Sequence, residues 1–138
     1  MSPAISGTTR LAGVVGWPLD HTLSPAMHNA AYDVLDLDWV YLPLPVSDET
    51  ALIRLMSAVK VLPFVGLSVT MPYKEQMLGL CDEVAALAEM AGAVNTVHVV
   101  DGRLISSFLH ALSTVSLIVS MPGPLWNALI NRSFSPPG

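Results

Sequence analysis

The sequence predicts an α/β fold: a three-layer α/β/α sandwich around a mainly parallel mixed sheet, with no Rossmann nucleotide-binding domain. Two observations predict it. Short apolar runs of strand length alternate with segments of helical apolar spacing, and this alternation implies strands crossed over by helices. Composition agrees: 52% hydrophobic and 12% charged residues over 138 positions are enough apolar side chains to bury a core, in about one domain's length.

The elements are read in order. Leu11 to Val15 is a buried strand closed by Gly16. Ser24-Pro25 opens a helix, with Ser24 as N-cap and Pro25 at the first helical position. Met27, Ala30, Ala31, Val34 and Leu35 are its expected apolar face. Trp39 to Val46 is a second strand, pushed to a sheet edge by Pro43 and Pro45, which have no N–H to give a neighbour. Ser47 is expected to cap the next helix, with Asp48 and Glu49 in its first turn and Leu52, Leu55, Met56 and Val59 as its buried stripe. Phe64 to Val69 is a third strand, and Pro72 is expected to start a short helix carrying Lys74. Asp82 is read as the cap of a further helix, with Val84, Leu87, Ala88 and Ala91 inward and Gly92 ending it. Thr96 to Val100 is a strand, Asp101-Gly102 a hairpin turn, and Arg103 to Ile105 begins the return strand, which adds antiparallel character.

After Ile105 the composition changes. No charged residue occurs from Leu104 to Asn131, and Pro122-Gly123-Pro124 breaks any helix there. Two segments are therefore expected: a domain over residues 1–105, and a divergent apolar tail over 106–138, foreign or frameshifted in character. The uncharged run contains Ser106, Ser107, His110, Ser113, Thr114, Ser116 and Ser120, too many polar groups for a transmembrane helix. A net charge of −5 with no basic stripe argues against nucleic acid as a partner. The single cysteine, Cys81, excludes an internal disulfide, and no signal peptide is visible, so a cytoplasmic location is expected.

Three loops hold candidate chemistry. The first, Gly16 to Pro25, joins a strand's C-terminal end to a helix's N-terminus, where open α/β sheets bind ligands and where an anion is favoured. Thr22 and Ser24 add two hydroxyls suited to a carboxylate; the plainer reading is a loop residue and an N-cap. The second, Ser68 to Lys74, places Ser68 and Thr70 at a strand end and Lys74 in the first turn of the expected helix. A lysine there, with its charged form disfavoured by the helix dipole, can act as a general acid or base; the plainer reading is a solvated lysine. The third holds Asn95, a donor and acceptor for a hydroxyl or a local turn-former. His21, His28, His98 and His110 lack metal-ligand spacing; His28 reads as a helix residue bonded to a neighbour, and His98 as the exposed face of a strand. No Gly-x-Gly-x-x-Gly and no Walker-type loop occurs.

Taken together, Gly16-Trp17-Pro18-Leu19-Asp20-His21-Thr22-Leu23-Ser24-Pro25-Ala26-Met27-His28-Asn29, Gly66-Leu67-Ser68-Val69-Thr70-Met71-Pro72-Tyr73-Lys74-Glu75 and Ala91-Gly92-Ala93-Val94-Asn95-Thr96 resemble the N-terminal, substrate-binding domain of the shikimate dehydrogenase family. The resemblance covers about residues 11 to 105. It implies an enzyme of aromatic amino-acid biosynthesis that reversibly reduces 3-dehydroshikimate to shikimate with NADPH. It implies that Thr22 and Ser24 hold the substrate carboxylate, that Ser68, Thr70 and Asn95 contact ring hydroxyls, and that Lys74 is the acid–base group at the reacting oxygen.

The sequence departs from the family pattern in three places. Thr22 stands for the first serine of the usual His-Ser-x-Ser-Pro, and Ser68 for a common asparagine; both keep a hydrogen-bonding group and bear on the preference between shikimate and quinate. After Asp101-Gly102-Arg103-Leu104-Ile105 the family continues into Asn-Thr-Asp-Gly, whose Asp pairs with the catalytic lysine, whereas Ser106-Ser107-Phe108-Leu109 follows here. The expectation is a substrate-binding domain that binds shikimate or 3-dehydroshikimate, holds no cofactor itself although the full-length family uses NADP(H), and is silent alone. The alternatives are a half-enzyme working with a separate Rossmann-domain partner, a non-catalytic shikimate- or quinate-binding module, and a scaffold whose site residues are relics. The apolar tail predicts self-association as a homo-oligomer or poor solubility.

Overall fold

The computed structural model describes residues 4–108 of the chain. The expected tail from residue 109 onward lies outside the described residues. The element order is β1 (Arg10–Gly16), α1 (Ser24–Val34), β2 (Trp39–Pro45), α2 (Glu49–Val59), β3 (Phe64–Val69), a 3-10 helix (Gln76–Leu80), β4 (Glu83–Val84), α3 (Ala86–Ala91), β5 (Thr96–Val100) and β6 (Arg103–Ser107). The strands form one six-stranded sheet in the order β2-β1-β3-β5-β6-β4. β1 pairs parallel with β2 and β3, and β4 with β6, while β5 runs antiparallel to β3 and β6. The proline-bearing strand β2 lies at the edge, as a strand lacking two donors must.

Two cores, one on each face, make the three layers. On one face Leu52, Met56 and Val59 of α2 and Ala88 of α3 pack with Val15, Leu67, Val69, Met77, Val97 and Leu104. On the other, Tyr32 of α1 packs with Ala12, Val14, Trp39, Tyr41 and Val65. The alternation of Val14 and Val15 between the two clusters is the period-two pattern of a strand buried on both faces. Asp101 and Gly102 both adopt positive φ (50° and 71°), the geometry of the expected tight hairpin, and Gly92 ends α3 in the left-handed region.

Four local expectations are corrected. The inward face of α1 is His28 and Tyr32, whereas Met27 (49%) and Val34 (85%) are exposed: two rings that fit against Tyr41 and Trp39 take the interior in preference to smaller aliphatic groups. The cap of α2 is Asp48, whose carboxylate accepts from the Ala51 N–H at 2.7 Å, not Ser47. Pro72 starts a turn rather than a helix, and the chain then enters only a five-residue 3-10 helix. Asp82 caps nothing: its carboxylate accepts from the Leu104 N–H at 2.8 Å and pairs with Lys60 at 3.1 Å, tying β4 to β6; α3 starts only at Ala86 and buries Ala88, while Leu87 and Ala91 are exposed. Strand β6 runs on to Ser107, two residues past the expected domain boundary.

Candidate substrate-binding site

The sheet topology brings the three loops to one edge. β1 and β3 are parallel, with Val15 opposite Val69, so their C-terminal ends and the loops that follow leave the sheet together. β5 is antiparallel to β3, with Thr96 opposite Ser68, so the start of β5 and the Asn95 before it arrive at the same edge. Ligands bind outside the carboxyl ends of strands in such sheets.

Backbone hydrogen bonds weld the loops to one another. The Trp17 N–H donates to Met71 O (3.0 Å), the Thr70 N–H to Val15 O (3.0 Å), the Val69 N–H to Asn95 O (2.9 Å), and the Val94 N–H to Lys74 O (2.7 Å). Gly16 is required at the crossing point. A Cβ there would lie 2.3 Å from the Thr70 methyl and 2.9 Å from Met71 O, so only glycine lets the first and second loops touch. Both loops carry a cis proline, at Trp17-Pro18 and Met71-Pro72.

Each predicted residue has a definite place. Thr22 accepts from the Ser24 N–H at 3.3 Å, a local bond that leaves its own O–H available. Ser24 lies in the first turn of α1, behind Leu23 at the N-cap, and makes no capping bond, so the plainer reading of Ser24 as a cap is set aside. Ser68 is half-buried at the end of β3 and accepts from the Tyr41 hydroxyl at 3.1 Å. Thr70 is half-buried and fixed at both backbone groups, its O accepting from the Tyr73 N–H. Asn95 accepts from the Thr96 hydroxyl at 3.1 Å, and its N–H donates to Ser107 O. Lys74 is half-buried in the turn before the 3-10 helix, with no ion-pair partner among the described residues. The dipole argument for Lys74 therefore falls, because no α-helix starts there.

Sequence reasoning missed Tyr41. It is 1% exposed, and burial pushes its phenol up to about 12, while hydrogen bonding with Ser68 and Ser24 pulls the other way. The Asn29 side chain clamps its backbone, accepting from the Tyr41 N–H (2.8 Å) and donating to Tyr41 O (3.0 Å) along the free edge of β2. His28 stacks on its ring, centroids 4.0 Å apart at 8°. His28 is a helix residue bonded to a neighbour, its Nδ1 meeting Ser24 O at 2.8 Å, whereas His98 is half-buried rather than exposed. The available signal was the inward alternation of Tyr41 in its strand together with His28-Asn29 in the helix that Ser24-Pro25 opens.

A cavity of about 250 Å³ lined by Ile53, Met56, Ser57, Lys60, Val61, Leu80 and Leu104 includes no residue of the three loops and is no part of this site. Among the described residues no cluster of His, Cys, Asp and Glu fits a metal ion, and no helix is long and apolar enough to cross a membrane.

The fold is a mixed α/β sheet at whose strand ends three loops carrying hydroxyls, an amide and a lysine are joined by backbone hydrogen bonds. Comparison with known proteins gives the family. The family profile described as the shikimate dehydrogenase substrate binding domain matches residues 14–97. The chain is 44% identical over 119 residues to the shikimate dehydrogenase (NADP(+)) of Citrifermentans bemidjiense, covering 86% of this chain and 41% of that protein. Among solved structures it is similar to Thermus thermophilus shikimate 5-dehydrogenase in complex with NADP(H) and shikimate (TM-score 0.67, 38% identity, 71% of this chain and 37% of that one). It is also similar to Listeria monocytogenes shikimate 5-dehydrogenase in complex with shikimate and NAD (TM-score 0.71, 38% identity, 77% and 36%). This chain belongs to the shikimate dehydrogenase family and carries its N-terminal substrate-binding domain. It spans about two fifths of the length of the curated relatives it matches.

Proposed function

We propose that the domain binds shikimate and 3-dehydroshikimate, and that it serves the NADP-dependent interconversion of the two in the cytoplasm. The convergence of the three loops at one sheet edge carries this reading. Thr22 and Ser24 donate to the carboxylate beside the first turn of α1, where the helix dipole favours negative charge. Ser68, Thr70 and Asn95 meet the ring hydroxyls. Lys74 donates a proton to the carbonyl oxygen as it becomes an alkoxide, and takes it back in the reverse direction.

The Citrifermentans bemidjiense relative is named for NADP(+), and the Thermus thermophilus structure is a complex with NADP(H). The described residues do not fit that cofactor: no Gly-x-Gly-x-x-Gly occurs in the sequence, and no glycine-rich turn opens α1, α2 or α3. On this reading the described residues are the substrate half of the reaction.

Calorimetric titration with shikimate tests the reading. The wild-type chain is expected to bind saturably, and the Thr22→Ala/Ser24→Ala chain to lose more than about tenfold in affinity, since charge-assisted donors to a carboxylate are the strong ones. Equal affinity in the two chains would refute the assignment of the carboxylate site.

A further inference from the structure

We infer that Tyr41 is a positioning residue of this site, whose hydroxyl sets the Ser68 hydroxyl as a donor to bound ligand. The inference rests on the proposed reading of Ser24 and Ser68 as ligand contacts.

Tyr41 lies on β2, a strand that carries none of the three loop motifs, yet its side chain crosses to two of them. Its O–H donates to Ser68 Oγ at 3.1 Å, and its ring stacks on His28 of the first motif, centroids 4.0 Å apart. The residue is held at backbone and ring alike. Asn29 pins its backbone at both polar groups, and His28 stacks face to face on its ring. His28 is itself tied to the Ser24 loop: Ser24 O can only accept, so Nδ1 carries the proton of that 2.8 Å bond and the ring is fixed relative to Ser24. The run Ser24-Pro25-Ala26-Met27-His28-Asn29 is thus a bracket whose function is to place one tyrosine hydroxyl.

The consequence for Ser68 follows from its inventory of one proton and two lone pairs. The Tyr41 proton occupies one lone pair, so the Ser68 proton cannot point back at Tyr41 and is directed elsewhere. Fixing the Ser68 rotor in advance removes an ordering cost that a free hydroxyl would meet on binding. Loss of the Tyr41 hydroxyl should therefore weaken ligand binding only while Ser68 is present to be oriented.

The test is the shikimate dissociation constant of four full chains: wild type, Tyr41→Phe, Ser68→Ala and the double variant. Tyr41→Phe keeps the ring on His28 and the backbone on Asn29. It should weaken binding about tenfold when Ser68 is present and at most about twofold when position 68 is alanine, the signature of two coupled residues. Ser68→Ala alone should cost at least as much as Tyr41→Phe alone. The same loss in both backgrounds would overturn the inference, because a merely structural tyrosine does not depend on Ser68. So would a Tyr41→Phe chain that loses its dispersed amide spectrum, which would make the hydroxyl a folding element. A wild-type chain that binds no shikimate would sink the proposed function and this inference together, whereas wild-type binding with uncoupled variants would sink this inference alone.

Discussion

Burial holds the His28 imidazole below its ordinary range, against the opposing pull of its bond to Ser24 O, and burial lowers His98 in the same direction. Both rings are thus neutral in the fold and easier to protonate in the unfolded chain, whose value stays near 6.5. The sign follows: their contribution to stability is fully present above that value and is lost as pH falls below it towards the folded value. We expect the thermal midpoint to drop between pH 7.5 and pH 5, and His28→Phe, which keeps the stack on Tyr41, to flatten part of the drop. A wild-type midpoint unchanged across this range would contradict the assignment. At this scale the sequence was legible where a residue's type suited a single structural role, as with Gly92 and Asp101-Gly102. It was not legible where two neighbours suit the same role. Ser47 and Asp48 are both good N-caps, and Asp48 prevails through its 2.7 Å bond to Ala51.

At the scale of elements, the site depends on contact between two loops, and Gly16 is where they touch. Gly16→Ala would drive a methyl into the Thr70 side chain and Met71 O. The expected cost is about 1–3 kcal/mol of stability, as for other overpacked positions, with weakened shikimate binding because the loops must part. Urea denaturation and calorimetry on the variant check both. The strands could be read closely from apolar runs and turn residues: Phe64–Val69 and Thr96–Val100 have the expected bounds. Helix faces were less legible. The aliphatic pattern of α1 favours Met27 and Val34, but the space against β2 is shaped for the rings of His28 and Tyr32, and sequence spacing carries no information on that shape. The turn at Pro72 was misread as a helix for a related reason, since proline starts both structures and the bond from the Val94 N–H to Lys74 O comes from distant chain.

At the scale of the whole described domain, one sheet serves two cores, so neither face can unfold while the other stays intact. Met77→Ala on one face and Tyr32→Ala on the other remove fully buried side chains, and each should lower stability by roughly 2–5 kcal/mol. Each should also give a single transition with coincident circular dichroism and tryptophan fluorescence, and two separated transitions would refute the shared sheet as the cooperative unit. The candidate site was proposed from the sequence as three motifs, but the meeting of their loops was not legible there. It requires β5 to be antiparallel beside β3, a pairing set by the Asp101-Gly102 hairpin and the sheet order together.

Whether these three distant motifs form one shikimate site is decided by an amide chemical-shift map of the chain titrated with shikimate. A single site gives saturable shifts that cluster at Thr22, Ser24, Ser68, Thr70, Lys74 and Asn95, and that disappear in Thr22→Ala/Ser24→Ala. Saturable shifts confined to one loop, or no shifts at millimolar shikimate in a chain with a dispersed folded spectrum, would contradict it.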